Sequence, residues 1–212
     1  MITIKAFEFN YFQENTFVLY DDTKEAVIID CGCLRPSEEK ELSDFITENK
    51  LTVKHLLCTH LHLDHIFGNP FIYKTYGLSP QAHRLDVEQL PAPDKQAQAF
   101  GLPGHFQEIP VQKQLVGNEV VKFGHSELLV LTVPGHSPGS VDFYNKKNGF
   151  DIVGYALFAG SIGRTDLWGG NQEVLIAAIN DKLLSLPDET VIYPGHGPET
   201  RVIDEKLNNP YL

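Results

Sequence analysis

The sequence predicts an α/β fold of four layers, an αββα sandwich in which two facing sheets are each flanked by helices, formed by a single domain over residues 1–212. Two observations predict it. The chain runs strands, helix, strand, helix, and then repeats that order once more. Each helical stretch is apolar on one face only, and no linker or short repeat separates the two halves.

The elements follow in order. Ile2 and Ile4 alternate with polar neighbours near the N-terminus, and Thr16–Tyr20 is a second strand. The Asp21-Asp22-Thr23-Lys24 turn leads into a third strand, Ala26–Asp30. Ser37 is placed to cap a helix in which Leu42, Phe45 and Ile46 recur at helical spacing. Val53–Cys58 is an apolar strand that ends at Thr59-His60, and a helix is expected from Asp64 to Tyr76, stopped by Gly77. Residues 89–110 are rich in proline and read as a surface excursion with one helical turn at Lys95–Phe100. Strands are expected at Val120–Phe123, Leu128–Val133, Val141–Tyr144 and Ile152–Phe158, with an Asn148-Gly149 turn before the last. Val174–Leu186 is amphipathic and ends at Pro187, Val191–Tyr193 is a strand, and a final helix covers Thr200–Asn208.

Composition narrows the function. Hydrophobic residues make up 42% of the chain, enough for a large core, and no stretch is long and apolar enough to span a membrane. The formal charge of −11 and the lack of a basic run argue against nucleic acid as a partner. The N-terminus reads as a strand and not as a signal peptide. Three cysteines, Cys31, Cys33 and Cys58, form no CxxC pair. They suit buried thiols in a reducing compartment, so a cytoplasmic location and a small-molecule substrate are expected.

The histidines carry the chemistry. His60, His62 and His65 crowd with Asp64 directly after a strand, and His136 and His196 each follow another strand behind a glycine. Strand ends gathered on one edge would bring five imidazoles and a carboxylate together. Neutral imidazole and carboxylate are the ligands zinc takes in a tetrahedral shell. The H-x-H pair on extended backbone sends both rings to one side. His55, His83, His105 and His125 lack such company and read as structural or solvated groups.

Thr59–His65, Gly135–Ser140 and Gly195–Gly197 together resemble the signature of the metallo-β-lactamase superfamily. Leu157–Asp166 is similar to its short glyoxalase II-like, or hydroxyacylglutathione hydrolase-like, branch. The resemblance implies the αββα sandwich of that family and two metals. His60, His62 and His136 would hold the first, and Asp64, His65 and His196 the second. The implied ion is Zn2+, one or two per chain, with iron or manganese as alternatives. A hydroxide between the ions would attack a carbonyl, Asp64 would orient it or take its proton, and Asp30 would steer a ligand ring. The implied activity is hydrolysis of thioesters such as S-lactoylglutathione.

Two departures set the alternatives. Family members carry a Gly-Asp pair before the Phe-x-Gly-Ser motif, and that Asp bridges the ions; here Tyr155 stands in its place. Ionising a phenol at pH 7 costs about 4 kcal/mol, which a cation can offset. Phenolate ligation, a one-metal site, two weakly held ions and an inactive metal-binding relative all stay open, as does a lactonase or β-lactamase using the same site. The chain also ends soon after His196, without the C-terminal helical domain that helps full glyoxalase II enzymes hold glutathione, so glutathione recognition is expected to be weak. Arg164 is expected to pair with Asp166 in preference to a substrate carboxylate.

Overall fold

The computed structural model describes residues 1–212. Its first sheet contains β1 (Thr3–Phe9), β2 (Glu14–Tyr20), β3 (Glu25–Ile29), β4 (Thr52–Leu57), β5 (Pro80–His83) and β6 (Lys113–Leu115), paired in that order. The second begins with β7 (Val120–Phe123), β8 (Ser126–Thr132), β9 (Val141–Asn145) and β10 (Phe150–Gly154). A small hairpin follows, β11 (Leu157–Phe158) with β12 (Ser161–Ile162). Then β13 (Val191–Pro194) and β14 (Thr200–Arg201) complete the second sheet in the order β14-β13-β10-β9-β8-β7.

Side-chain alternation explains the layers. Phe17, Leu19, Val27, Ile29, Phe143 and Ile152 fill the space between the sheets. Their neighbours Val18, Ala26 and Ile28 point the other way and pack on Leu42, Ile46 and Ile72. Those three belong to α1 (Pro36–Glu48) and α2 (Asn69–Tyr76). Two short helices, α3 (Arg84–Gln89) and α4 (Pro93–Ala99), lie within the excursion region. On the far side Val153 and Ile192 pack against Leu175, Ile179, Leu183 and Val202. These come from α5 (Gln172–Ala178), the π-helical turn that continues it (Ile179–Leu183), and α6 (Val202–Asn208). Each large aliphatic side chain fully buried this way contributes roughly 1.5–3 kcal/mol. No helix is long and apolar enough to cross a membrane.

Several expected elements are interrupted. The helix from Asp64 is a 3-10 turn, Leu63–His65, and α2 starts only at Asn69 with a proline in its first turn. Its C-terminus is stopped as expected, with Gly77 at φ 70°. Ser37 is not the cap of α1. Arg35 is, and the Glu38 side chain reaches back over it, accepting from the Leu34 and Arg35 backbone N–H groups at 2.7 and 2.9 Å. The strand Ile152–Phe158 breaks after Gly154, which takes φ 51°. The last helix starts at Val202, because Thr200 and Arg201 pair with β13 first.

Both sheets end together on one side of the molecule. The Val141 N–H donates to the Thr59 carbonyl at 2.8 Å, and the Asn15 N–H donates to the Gly195 carbonyl at 2.7 Å. The segments after β4, β8 and β13 are thereby brought to a common edge.

Candidate metal centre

Asp30 closes β3 in the left-handed region, φ 50°, a costly conformation for a residue with a side chain. Its carboxylate offsets that cost by tying β3 to the end of β4. Oδ1 accepts the Thr59 N–H at 2.7 Å, and Oδ2 accepts the Thr59 hydroxyl at 2.7 Å and His65 Nδ1–H at 2.9 Å. Because the Thr59 hydroxyl donates to Asp30, its oxygen accepts from His60 Nδ1 at 3.0 Å. One carboxylate thus orients two rings, one directly and one through a hydroxyl.

The other rings are fixed by backbone. His136 Nδ1 donates to the Arg164 carbonyl at 2.7 Å, and His196 Nδ1 donates to the Phe12 carbonyl at 2.9 Å. His60, His65, His136 and His196 therefore all turn Nε2 inward. His136 Nε2 lies 3.2 Å from His60 Nε2 and 2.7 Å from His62 Nδ1. His196 Nε2 lies 3.2 Å from both His65 Nε2 and Asp64 Oδ2. The six residues expected from the sequence fall into two sets, His60, His62, His136 and Asp64, His65, His196, with Asp30 close to His60 and His65 between them.

Facing lone pairs repel unless a cation lies among them. Zn–N bonds of about 2.0–2.1 Å in a tetrahedral shell hold neighbouring donor atoms roughly 3.3 Å apart. The 3.2 Å spacings fit that shell. Electrostatics agree. Burial, reinforced by neighbouring histidines, holds His60 and His136 well below the usual imidazole range, and burial takes His62 down to about 4. These three rings stay neutral and available as ligands. His65 is opposed by burial, yet Asp64 and Asp30 raise it to about 9. Burial opposes ionisation of Asp64 as well, but His65 and His196 hold it below the usual carboxylate range. Without a cation the His65 proton balances the Asp64 charge, and a bound ion would take that proton's place. His62 Nε2 is buried without a partner. The donor set fits a metal ion.

Close backbone approach requires glycine at two places. Gly135 takes φ 130°, and a Cβ on Gly195 would lie 2.7 Å from His65 Cε1.

Sequence reasoning missed the supports behind the rings. Asp86 of α3 accepts from the Leu61 N–H, the Gly139 N–H and the Ser137 hydroxyl at 3.0, 2.6 and 2.9 Å, clamping two ligand-bearing loops together. Burial raises its carboxyl to about 6. Gln96 of α4 accepts from the Leu63 N–H and donates to the Leu61 carbonyl. Glu14 is fully buried 3.8 Å from His65 Nδ1, and burial pushes its carboxyl well above the usual range. No local motif marks these three, since their partners are remote backbone groups or buried neighbours.

Tyr155 stacks on His136 with ring centroids 4.3 Å apart and planes 17° from parallel. Burial and then the Asp64 charge push its phenol up, so its own surroundings keep it protonated. Arg164 forms a two-pronged salt bridge with Asp166 at 2.6 and 2.8 Å, and it serves the centre through its carbonyl. The four histidines read as structural sit elsewhere: His55 contacts the Lys122 carbonyl, His83 caps α3, and His105 and His125 face Asp94 and Asp22. A cavity of about 120 Å³ opens onto the cluster between Phe12, Leu63, Phe100, Tyr155, Arg164 and Leu167.

Known proteins share this fold. A family model described as "Metallo-beta-lactamase superfamily" matches residues 10–196. A relative named hydroxyacylglutathione hydrolase GloC, from Haemophilus influenzae, is 37% identical over 95% of this chain and 93% of its own length. The crystal structure of BLEG-1 B3 metallo-beta-lactamase superposes with TM-score 0.88 at 34% identity, covering 99% of both chains. The crystal structure of TTHA1623 in a di-iron-bound form gives TM-score 0.86 at 36% identity, covering 98% of this chain and 100% of that one.

Proposed function

The chain belongs to the metallo-β-lactamase superfamily of metallo-hydrolases, and from that premise we propose that it hydrolyses thioesters, with a hydroxyacyl thioester such as S-lactoylglutathione as the reference substrate. The observation that carries the reading is the convergence of four backbone- or carboxylate-pinned Nε2 atoms with His62 and Asp64, beside an open cavity that His62, Asp64, His136 and His196 line. The hydroxyacylglutathione hydrolase relative supports the thioester.

His60, His62 and His136 would hold one cation and Asp64, His65 and His196 a second, zinc being our assignment, with iron or manganese as alternatives in view of the di-iron relative. When bound, such a cation lowers the pKa of water towards neutrality and polarises a carbonyl oxygen. Asp64, kept ionised at the cavity wall, is placed to orient the attacking water or accept its proton. Asp30 and Thr59 keep the His60 and His65 tautomers fixed, so no reorganisation accompanies turnover. Phe12, Leu63, Phe100 and Leu167 narrow the approach of bulk water. Cys31, Cys33 and Cys58 are free and buried, which suits the cytoplasmic location we assign.

Tyr155 favours a second reading, a metal-binding relative of weak activity, because a protonated phenol stands where the resemblance calls for a bridging carboxylate. The β-lactamase neighbour makes β-lactams the control substrates, with lactones beside them. Metal content per chain and S-lactoylglutathione turnover, measured for the wild type and Tyr155→Asp, test both readings. The proposal expects wild-type turnover that chelation removes and metal restores, and a rise in second-ion occupancy and rate in the variant. Metal-loaded wild type that hydrolyses no thioester rejects the thioesterase reading. A variant with unchanged or lower occupancy and rate rejects Tyr155 as the missing bridge.

A further inference from the structure

Two aromatic side chains, Phe12 and Phe100, line the mouth of the cavity, and Phe67, Phe106 and Trp168 adjoin them on separate segments. Phe12 lies in the turn between β1 and β2, Phe67 follows the 3-10 turn, Phe100 caps α4, Phe106 follows in the next loop, and Trp168 lies beyond β12. They form a continuous chain of rings. Trp168 is 6.3 Å from the His62 ring, Phe100 is 6.0 Å from Trp168, and Phe12 is 6.2 Å from Phe100. Phe67 is 6.4 Å from Phe12, and Phe106 is 5.3 Å from Phe67. Phe12 and Phe100 each leave 39% of their surface exposed, although burial is where such residues are most stable. Exposed aromatics gathered at a polar cavity mark a surface that a ligand covers.

The charges at the same mouth point to the nature of that ligand. Histidines aside, Asp64 and Arg164 are the ionisable acid and base lining the cavity, and the Arg164 guanidinium is already closed on Asp166. No lysine lines it. A glutathione portion would bring two carboxylates and a net negative charge to a cavity whose one guanidinium is already paired, in a chain of net charge −11. It would find no free cation on the cavity wall. An aryl or alkyl group would find apolar rings on several sides.

We infer that an aromatic collar, Phe12 and Phe100 with Trp168 beside them, receives an apolar thiol portion of the substrate, so that aryl- or alkyl-thiol esters are the preferred class and glutathione thioesters the poorer one. This rests on the thioesterase reading for its chemistry. The binding of an apolar group by the collar stands independently of it.

Trp168 is the single tryptophan, so its emission reports the collar directly, with or without metal. The protein is titrated with benzylacetone, a carbonyl probe with an apolar arm, and in parallel with S-methylglutathione. The expected result is a saturable Trp168 change with benzylacetone at concentrations at least about tenfold lower than S-methylglutathione needs. Phe100→Ala should weaken benzylacetone binding, and Phe12→Ala, at another exposed ring, repeats the measurement should the first variant fold poorly. Equal or tighter binding of S-methylglutathione, or no saturable response to benzylacetone, overturns the inference. Turnover of the S-benzyl thioester of lactic acid is then compared with S-lactoylglutathione on metal-loaded protein, the acyl group being the same. A kcat/KM about tenfold higher for the benzyl ester supports the inference. Equal or reversed values overturn it and leave the thioesterase reading in place. Saturable benzylacetone binding with neither ester hydrolysed supports the collar and rejects the thioesterase reading.

Discussion

Two groups of buried ionisable side chains lie near the second sheet, and they are built in opposite ways. The histidine cluster sits at the common end of the sheets, four of its rings have one nitrogen hydrogen-bonded and the other turned inward, and two of these, His136 and His196, line an open cavity. Asp142 and Asp151 lie within β9 and β10, on the face covered by α5 and α6, and neither is exposed. None of their four carboxylate oxygens has a partner. Burial pushes both carboxyls well above their usual range, with Asp151 adding to the effect on Asp142. Burial of charge-bearing groups is thus not what marks a functional centre. The mark is donor atoms held in place from behind and converging on a space a ligand can reach.

The largest effect that could break this comparison comes from the rings themselves. His60→Ala and His136→Ala should each abolish stoichiometric metal binding and reduce turnover to background, as measured by metal analysis on folded protein. Full metal content in either variant would end the assignment of the first set.

A smaller effect is expected one layer out. Asp30→Asn removes the acceptor that fixes His65 and, through Thr59, His60. Loss of such a support typically lowers metal affinity about 10–100-fold. Competition with a chelator measures it, and an unchanged affinity would show that backbone geometry alone aims the rings.

The smallest effect concerns the aspartate pair. Its carboxyls hold their protons more tightly in the folded state than in the unfolded chain, where the reference value is 3.8. The folded state therefore binds more protons above that value, and the pair's contribution to stability falls as pH rises towards the folded-state pKa. Asp142→Asn combined with Asp151→Asn should flatten that decline above the unfolded-state value and raise Tm at the upper end of the pH range. Each kcal/mol relieved corresponds to about 2–4 °C for a chain of this size. Thermal melts of both proteins at several pH values provide the check, and parallel curves would mean that the carboxyls do not change protonation on folding.

The readable and unreadable parts of the fold differ in how local their causes are. The first strand follows from the alternation of Ile2 and Ile4, the next three from short apolar runs bounded by turn residues, and α1 from the spacing of Leu42, Phe45 and Ile46. The helix expected from Asp64 to Tyr76 fails in its first half because Gly68 is held against Cys31, whose carbonyl accepts its N–H at 2.7 Å. A Cβ at Gly68 would meet the sulfurs of Cys31 and Cys33. The strand through Tyr155 fails because Gly154 turns beside the Thr59 side chain. The strand at Lys113–Leu115 is too short to show a period and exists through pairing with β5. Each cause is a contact with a distant segment, invisible to any window of neighbouring residues.

The candidate centre divides in the same way. Residue types and spacing in His60–His65, Gly135-His136 and Gly195-His196 determined which donors are present, since ligand chemistry belongs to the side chain. The tertiary structure alone decided which nitrogen each ring turns inward. The acceptors that decide it are the Arg164 and Phe12 carbonyls, an Asp30 carboxylate and a threonine hydroxyl. The two carbonyls exist at every residue regardless of its identity, and the two side chains act only where the folded backbone sets them against a ring. The aromatic collar was hidden for the same reason, because Phe12, Phe100 and Trp168, far apart along the chain, become neighbours only when the loops that carry them meet beside one cavity.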